Sequence, residues 1–125
     1  MYYFSSLAEF ATLRETIKEE LARASEKDAL HIFVAINEGV NNAIFHGNKE
    51  DRSKKVHLMI EELPYEIKII IRDEGKGFAN QGKREQVEWS AESGRGFEII
   101  QHCVDSYHLN ELGNELTLIK KFADA

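Results

Sequence analysis

Residues 38–47 read EGVNNAIFHG and close a long amphipathic segment, which residues 25–28 open with a helix-capping signature. At about 100° per residue, Glu38, Asn42 and His46 fall on one stripe of the predicted helix, each one turn beyond the last. The apolar side chains are expected to point the other way, toward a core: Leu30, Phe33, Val40 and Ile44. Packing alone does not require a carboxylate, an amide and an imidazole in a row, so this stripe is a candidate functional site. Gly47 is expected to end the helix in a left-handed conformation.

A first helix is predicted before this segment, from about Leu7 to Ser25. Residues 6–9 have the pattern of a capping box, with Ser6 three residues before Glu9. Apolar residues then recur every three or four positions, which gives one buried face: Leu7, Phe10, Leu13, Ile17 and Leu21.

Beyond residue 53 the period changes from helical to alternating. Residues 56–61 and 67–72 alternate apolar and polar around a turn at 63–65, which predicts an antiparallel hairpin. Residues 79–93 show no strong period and predict a mobile loop, and a third helix is expected from Arg95 to Asp105. Residues 107–112 and 115–120 predict a last hairpin with a two-residue turn at 113–114.

These elements predict an α+β fold in one domain, residues 1–125. We expect a two-layer sandwich of three helices on a mostly antiparallel, mixed sheet. The other sheet face would carry polar residues suited to solvent or a partner: Lys68, Arg72, Thr117 and Lys121.

Composition narrows the function classes. The formal net charge of −6 disfavours nucleic acid and anionic membrane surfaces as partners. No apolar run approaches the roughly 18 residues of a membrane span, and no signal peptide is expected at the start. A single cysteine, Cys103, excludes an internal disulfide and favours a reduced, cytoplasmic setting.

Two glycine-rich turns later in the chain could bind a ligand together with the helix stripe. Residues 73–78 read DEGKGF directly after a predicted strand, where two glycines allow close approach of a ligand to the backbone. Residues 94–97 read GRGF just before a helix, where exposed N–H groups and Arg95 favour an anion. Each turn alone is more often a simple connection, and each residue of the stripe alone could face solvent. Their order along the chain is the specific signal.

That ordered pattern resembles the GHKL ATPase superfamily, which includes gyrase and histidine kinases, and within it the bacterial anti-sigma-factor serine kinases. The resemblance implies the Bergerat-type ATP-binding fold, with ATP and Mg²⁺ as cofactors. By resemblance, Asn42 would bind the Mg²⁺, Glu38 would be the catalytic base, and Asp73 would accept a hydrogen bond from the adenine amino group. The remaining implied nucleotide-binding residues are Gly75, Lys76, Gly77, Gly94, Arg95, Gly96 and Thr117. Residues 79–93 would be the ATP lid, and no role transfers to His46.

The implied function is an ATP-dependent protein serine/threonine kinase that phosphorylates an anti-anti-sigma (STAS-type) partner and sequesters a sigma factor; a response regulator is another candidate partner. The alternative is a nucleotide-dependent binding module of a signalling pathway, without kinase activity. A structural protein with a vestigial site is a third. Relatives usually open with a strand near a subunit interface, and here only residues 2–4 could supply it, so homodimerisation is left open.

Overall fold

A computed structural model of the chain describes residues 1–49, 51–75 and 93–122, without the side chains of 93–95. In this part of the chain, a five-stranded antiparallel sheet of order β1-β2-β3-β5-β4 carries three helices on one face. The elements are β1 (Tyr2–Phe4), α1 (Leu7–Ala24), α2 (Ala29–Asn42), a π-helical turn (Ala43–Gly47), β2 (Val56–Glu62), β3 (Glu66–Arg72), α3 (Ser93–Cys103), β4 (Ser106–Leu109) and β5 (Glu115–Lys121). The predicted α+β architecture is confirmed, and each described strand pairing is antiparallel rather than mixed.

The sheet is amphipathic because its strands alternate with a period of two. Leu58 of β2 lies opposite Ile71 of β3, which in turn lies opposite Leu116 of β5, and all three are buried under the helices. The intervening residues of β3 and β5 form the other face, where Ile70 lies opposite Thr117. The predicted hairpin over residues 56–72 is therefore present with the expected face inward.

The capping box of α1 is also present, except that Glu9 bonds the N–H of Ser5 rather than that of Ser6. The Ser6 hydroxyl accepts a hydrogen bond from the Glu9 N–H at 3.2 Å, and the Glu9 carboxylate accepts one from the Ser5 N–H at 2.6 Å. The helix buries Phe10, Ile17 two turns later and Leu21 one turn after that, as its spacing predicts.

The second helix differs from its prediction at both ends. The Ser25 hydroxyl accepts the Asp28 N–H at 3.3 Å, but this bond closes a turn, and α2 begins only at Ala29. Leu30 is 70% exposed, so its assignment to the core was wrong. At 100° per residue Leu30 lies about 200° around the helix from Ile32, which is fully buried and belongs to the stripe that faces the sheet.

At its other end the segment leaves the α-helix at Asn42 and continues as a π-helical turn to Gly47. The Asn48 N–H donates to the Ala43 carbonyl five residues back, at 2.8 Å. The prediction that Gly47 adopts a left-handed conformation was wrong, because the positive φ of this region is at Lys49, at 52°. A single π-helical turn in an α-helix is uncommon and is frequent at functional sites.

The last hairpin also has a wider connection than predicted. Five residues, 110–114, join β4 to β5, and Gly113 has a φ of 81°. The Asn110 side-chain oxygen accepts the N–H groups of Gly113 at 2.7 Å and Asn114 at 3.0 Å. This capped loop replaces the two-residue turn because Asn110 bonds the loop backbone with its side chain.

The third helix begins at Ser93, two residues before its predicted start, and its buried residues include Phe97 and Ile100. The rest of the predicted mobile loop, residues 79–92, lies outside the described residues. Within the described ranges, no helix combines the length and apolar character needed to cross a bilayer.

Candidate functional site

A cleft opens between α2, the start of α3 and the loop that joins β4 to β5. The end of β3 forms its floor. The residues that line it are Gly39, Asn42, Ala43, Ile71, Asp73, Phe97, Leu109, Gly113, Asn114, Glu115 and Leu116. Apolar walls with a few polar groups are typical of small-molecule sites.

Asn42 is the polar residue of α2 in this cleft. It is 9% exposed, and its side-chain nitrogen Nδ2 is buried without a hydrogen-bond partner among the described residues. A buried amide left unpaired costs about 1–3 kcal/mol. The fold therefore gains little from this nitrogen, and the side chain is available to a ligand.

Glu38 lies on α2, one turn before Asn42. It is half-buried and faces the start of α3. A Cβ atom at Gly96 would be 3.4 Å from Glu38 Oε1 and 3.5 Å from Asn42 Nδ2. The Glu38 carboxylate forms no hydrogen bond or ion pair with the part of the chain that the structure describes. The first turn of α3, with its positive helix end, thus lies directly against a carboxylate and an amide.

The charge of Glu38 also reaches the other end of α3. Burial, mainly, raises the pKa of the Cys103 thiol, and the negative charge of Glu38 adds to this effect while Lys120 opposes it.

Asp73 extends the inward face of β3 by one residue and is 5% exposed. Burial raises its pKa from 3.8 to about 6, while the hydrogen bond from the Gly75 N–H to Oδ1, 2.8 Å long, and the charge of Lys54 lower it. A buried carboxylate held by one backbone N–H has acceptor capacity left for a ligand.

Two glycines allow the turn after β3, residues 73–75 (the Asp73 turn), to approach the π-helical turn. A side chain at Gly47 would overlap the Asp73 carboxylate, and one at Gly75 would overlap the Gly47 carbonyl. The absence of a Cβ at these positions therefore brings the end of the α2 segment and the end of β3 together, with Asn42 and Asp73 on one cleft.

A family model described as a histidine kinase-like ATPase domain matches residues 4–120, which is nearly the whole chain. The chain belongs to the histidine kinase-like ATPase family. Its membership in the GHKL anti-sigma-factor branch, predicted from the motifs, is also confirmed by its similar proteins.

Three of these relatives are anti-sigma F factors. The one from Anoxybacillus flavithermus is 30% identical over 94 residues, which cover 71% of this chain and 64% of the relative. That from Shouchella clausii is 30% identical over 107 residues, covering 79% and 73%, and that from Bacillus subtilis 29% identical over 97 residues, covering 71% and 66%. The chain thus spans between 64% and 73% of these relatives' lengths, less than two thirds in the first case.

The histidine kinase-like ATPase fold brings together some of the predicted site residues. Glu38, Asn42 and Gly96 meet at the start of α3, and Asp73 with Gly75 lies at the end of β3. Gly94 and Arg95 belong to the first turn of α3 by their backbone, and the Arg95 side chain lies outside the described residues. Lys76 and Gly77 also lie outside them.

Thr117 is not brought to the cleft. It lies opposite Ile70 and His108 on the sheet face away from the helices, whereas Asp73 continues the inward face. Asn114, which precedes β5, lines the cleft instead. His46 is half-buried in the π-helical turn and does not line the cleft, because the wider turn ends the regular stripe of Glu38 and Asn42.

Sequence reasoning also missed residues that shape the family site: Gly47, Asn48, Phe97 and Asn114. Gly47 is the last residue of the stretch 38–47 and Asn48 directly follows it, so their proximity to the stripe was the available signal. Asn114 was interpreted only as a turn residue, and no period in the sequence places a loop residue beside Asp73.

Gly47→Ala is expected to destabilise the protein by about 1–3 kcal/mol, because the added methyl group would overlap the buried Asp73 carboxylate. Denaturant unfolding measures the change. Gly96→Ala is the matched control: its Cβ would make ordinary contacts of 3.4–3.7 Å, and alanine favours a helix. Equal stability of Gly47→Ala and wild type would contradict the close approach.

Proposed function

We propose that this chain is an ATP-dependent protein serine/threonine kinase of the anti-sigma-factor type. One observation carries the proposal: Asn42, with an unpaired buried amide nitrogen, and the buried carboxylate of Asp73 line the same cleft. Family membership supports an adenine nucleotide as the occupant of that cleft.

We assign the adenine end of the nucleotide to the Asp73 turn. The free acceptor capacity of the Asp73 carboxylate suits the amino group of adenine, and the nearby wall is apolar, with Ile71 and Leu116. Gly75 and Gly77 would let the backbone approach the base. Thr117 lies across the sheet, so we assign the polar position beside the base to Asn114.

We assign the metal to Asn42. Mg²⁺ prefers oxygen ligands, and the Asn42 side chain carries an amide oxygen in the lining of the cleft. When bound, Mg²⁺ supplies positive charge beside the phosphates, which suits a net-acidic protein. The amide nitrogen of Asn42, which has no hydrogen-bond partner among the described residues, would be able to donate to a phosphate oxygen.

We assign the phosphate side to the start of α3 and Glu38 to proton transfer. The N–H groups around Gly94 and Gly96 and the positive helix end favour an anion, with Arg95 and Lys76 as further cations. The Glu38 carboxylate, adjacent to Gly96 and without a hydrogen-bond partner among the described residues, would accept the proton of the attacking serine hydroxyl.

We assign the protein partners from the kind of protein that the relatives are. Those relatives are anti-sigma F factors, so we propose that this chain sequesters a sigma factor and phosphorylates an anti-anti-sigma (STAS-type) protein on serine. A response regulator remains another candidate partner.

Transfer to the partner separates this function from that of a nucleotide-dependent binding module. The chain is incubated with Mg²⁺, ATP labelled on the γ-phosphate and a STAS-type protein whose serine is either intact or replaced by alanine. Label on the intact partner alone is the expected result. Binding of Mg-ATP with no label on either partner would favour the binding module, and absence of nucleotide binding would overturn both.

Asn42→Ala is expected to abolish the Mg²⁺-dependent part of ATP affinity, a loss of about tenfold or more, because it removes the proposed metal ligand. The free energy of unfolding should change little, since the amide nitrogen is unpaired in the fold. Calorimetric titration with ATP, with and without Mg²⁺, measures the effect. Asn37→Ala, on the same helix away from the cleft lining, is the control; an unchanged Mg²⁺ dependence in Asn42→Ala would contradict the assignment.

A further inference from the structure

Asn48 links three segments that meet behind the cleft. It is 3% exposed, and its backbone N–H donates to the Ala43 carbonyl at 2.8 Å, across the π-helical turn. Its side-chain nitrogen donates to the Lys55 carbonyl at 3.2 Å, just before β2. Its side-chain oxygen accepts the Glu74 N–H at 2.7 Å. Through its backbone and its side chain, the buried Asn48 therefore joins the π-helical turn, the start of β2 and the turn after β3.

The bond to the Glu74 N–H fixes the peptide that directly follows Asp73. A second set of bonds lies outside it: the Glu74 carboxylate accepts the Lys55 N–H at 3.0 Å and contacts His57 Nε2 at 3.1 Å. These outer groups are exposed, so water competes for them. The bond from the Glu74 N–H to Asn48 is better shielded from water, because Asn48 is 3% exposed, and it sets where the Asp73 turn lies relative to Gly47.

We infer that Asn48 is a positioning residue for base recognition, an inference that rests on the proposed function. By closing the π-helical turn and holding the Glu74 peptide, Asn48 keeps the Asp73 carboxylate turned into the cleft that Asn42 also lines. Loss of its side chain leaves the Glu74 N–H without its partner and lets the Asp73 turn move away from Gly47. The base end of the site is then disordered while the phosphate end, formed by α2 and α3, is kept.

Base discrimination tests this inference. Inosine triphosphate carries a 6-oxo acceptor where ATP carries an amino donor, so it lacks the group that Asp73 would bind. Titration calorimetry gives the dissociation constants of both nucleotides with Mg²⁺. Wild type is expected to prefer ATP by about tenfold or more, and Asn48→Ala by about threefold or less. A merely structural role would weaken both nucleotides equally and leave the ratio unchanged.

The control is Asp51→Ala. Asp51 caps the same connection by accepting the Ser53 N–H at 2.9 Å, and within the described residues its carboxylate has no hydrogen bond to the Asp73 turn, so its variant should keep the wild-type ratio. If Asn48→Ala fails to fold, Asn48→Ser replaces it; one hydroxyl cannot serve both Lys55 and Glu74, so the ratio should fall in the same direction. An unchanged ratio in the folded variant overturns the inference alone. Failure of wild type to bind ATP overturns the proposed function and the inference with it.

Discussion

Glu38→Gln is expected to slow phosphoryl transfer to the partner serine by about 10²–10⁴-fold while Mg-ATP affinity stays close to wild type. Glutamine keeps the size of the side chain but cannot accept the hydroxyl proton at neutral pH. Since the Glu38 carboxylate bonds to no other described residue, the substitution removes no structural bond. Single-turnover transfer assays and nucleotide titration separate the two quantities.

Glu15→Gln provides the matched control for this experiment, because Glu15 is an exposed residue of α1 far from the cleft lining. The variant should transfer phosphate at the wild-type rate. Transfer by Glu38→Gln at that same rate would show that another group takes the proton. A parallel loss of ATP affinity and transfer would instead make Glu38 a binding residue.

The parts of the fold that the sequence predicts well are those governed by one local period. The hairpin of β2 and β3 follows from alternation because a one-residue shift would turn Ile67, Ile69 and Ile71 to the outer face. The start of α1 follows from Ser6 and Glu9, which bond within four residues of each other. In both cases the deciding contacts lie close together in the chain.

The parts that the sequence predicts poorly depend on contacts between distant residues. The π-helical turn is fixed by Asn48, whose side-chain partners include Glu74, 26 residues away. Leu30 belongs to an apolar pattern but lies on the side of α2 that no other element covers in the described part of the chain. Thr117 was assigned to the site by resemblance to the family, yet strand alternation turns it to the outer face.

The candidate site shows the same division. The motif order predicts that Asn42 and Asp73 serve one ligand, and the structure places both on one cleft. Their approach requires Gly47 and Gly75 to pack without side chains, which no local period specifies. Asn114 reaches the cleft only because Asn110 caps the loop before β5.

Asp73→Asn is expected to weaken ATP binding by about 10–100-fold and, at the same time, to stabilise the nucleotide-free protein at pH 8. The binding loss follows because an amide nitrogen would face the adenine amino group, donor against donor. The same amide can donate to a 6-oxo group, so the variant should bind inosine triphosphate at least as well as ATP. Titration of both nucleotides measures this reversal.

The stability gain follows from the pKa of Asp73, which burial raises from 3.8 to about 6. The folded state therefore prefers the protonated carboxyl. The stabilisation that this preference gives is complete below pH 3.8 and is lost as pH rises through about 6. At pH 8 the buried charge costs stability, and asparagine removes it, for a gain of about 1–2 kcal/mol.

Unfolding of wild type and Asp73→Asn between pH 4 and pH 8 tests the sign. The advantage of the variant should shrink as pH falls through 6 and vanish near pH 4, where wild-type Asp73 is already neutral. Asp51→Asn is the control, because Asp51 is exposed and the pKa of its carboxyl is lowered, mainly by the Ser53 side chain. If the gain in stability of Asp73→Asn did not depend on pH, removal of the carboxyl charge would not be its cause. If the stability gain depends on pH and ATP affinity is also lost, both effects have one origin. The charge of Asp73 lowers the stability of the fold and is required for binding the ligand.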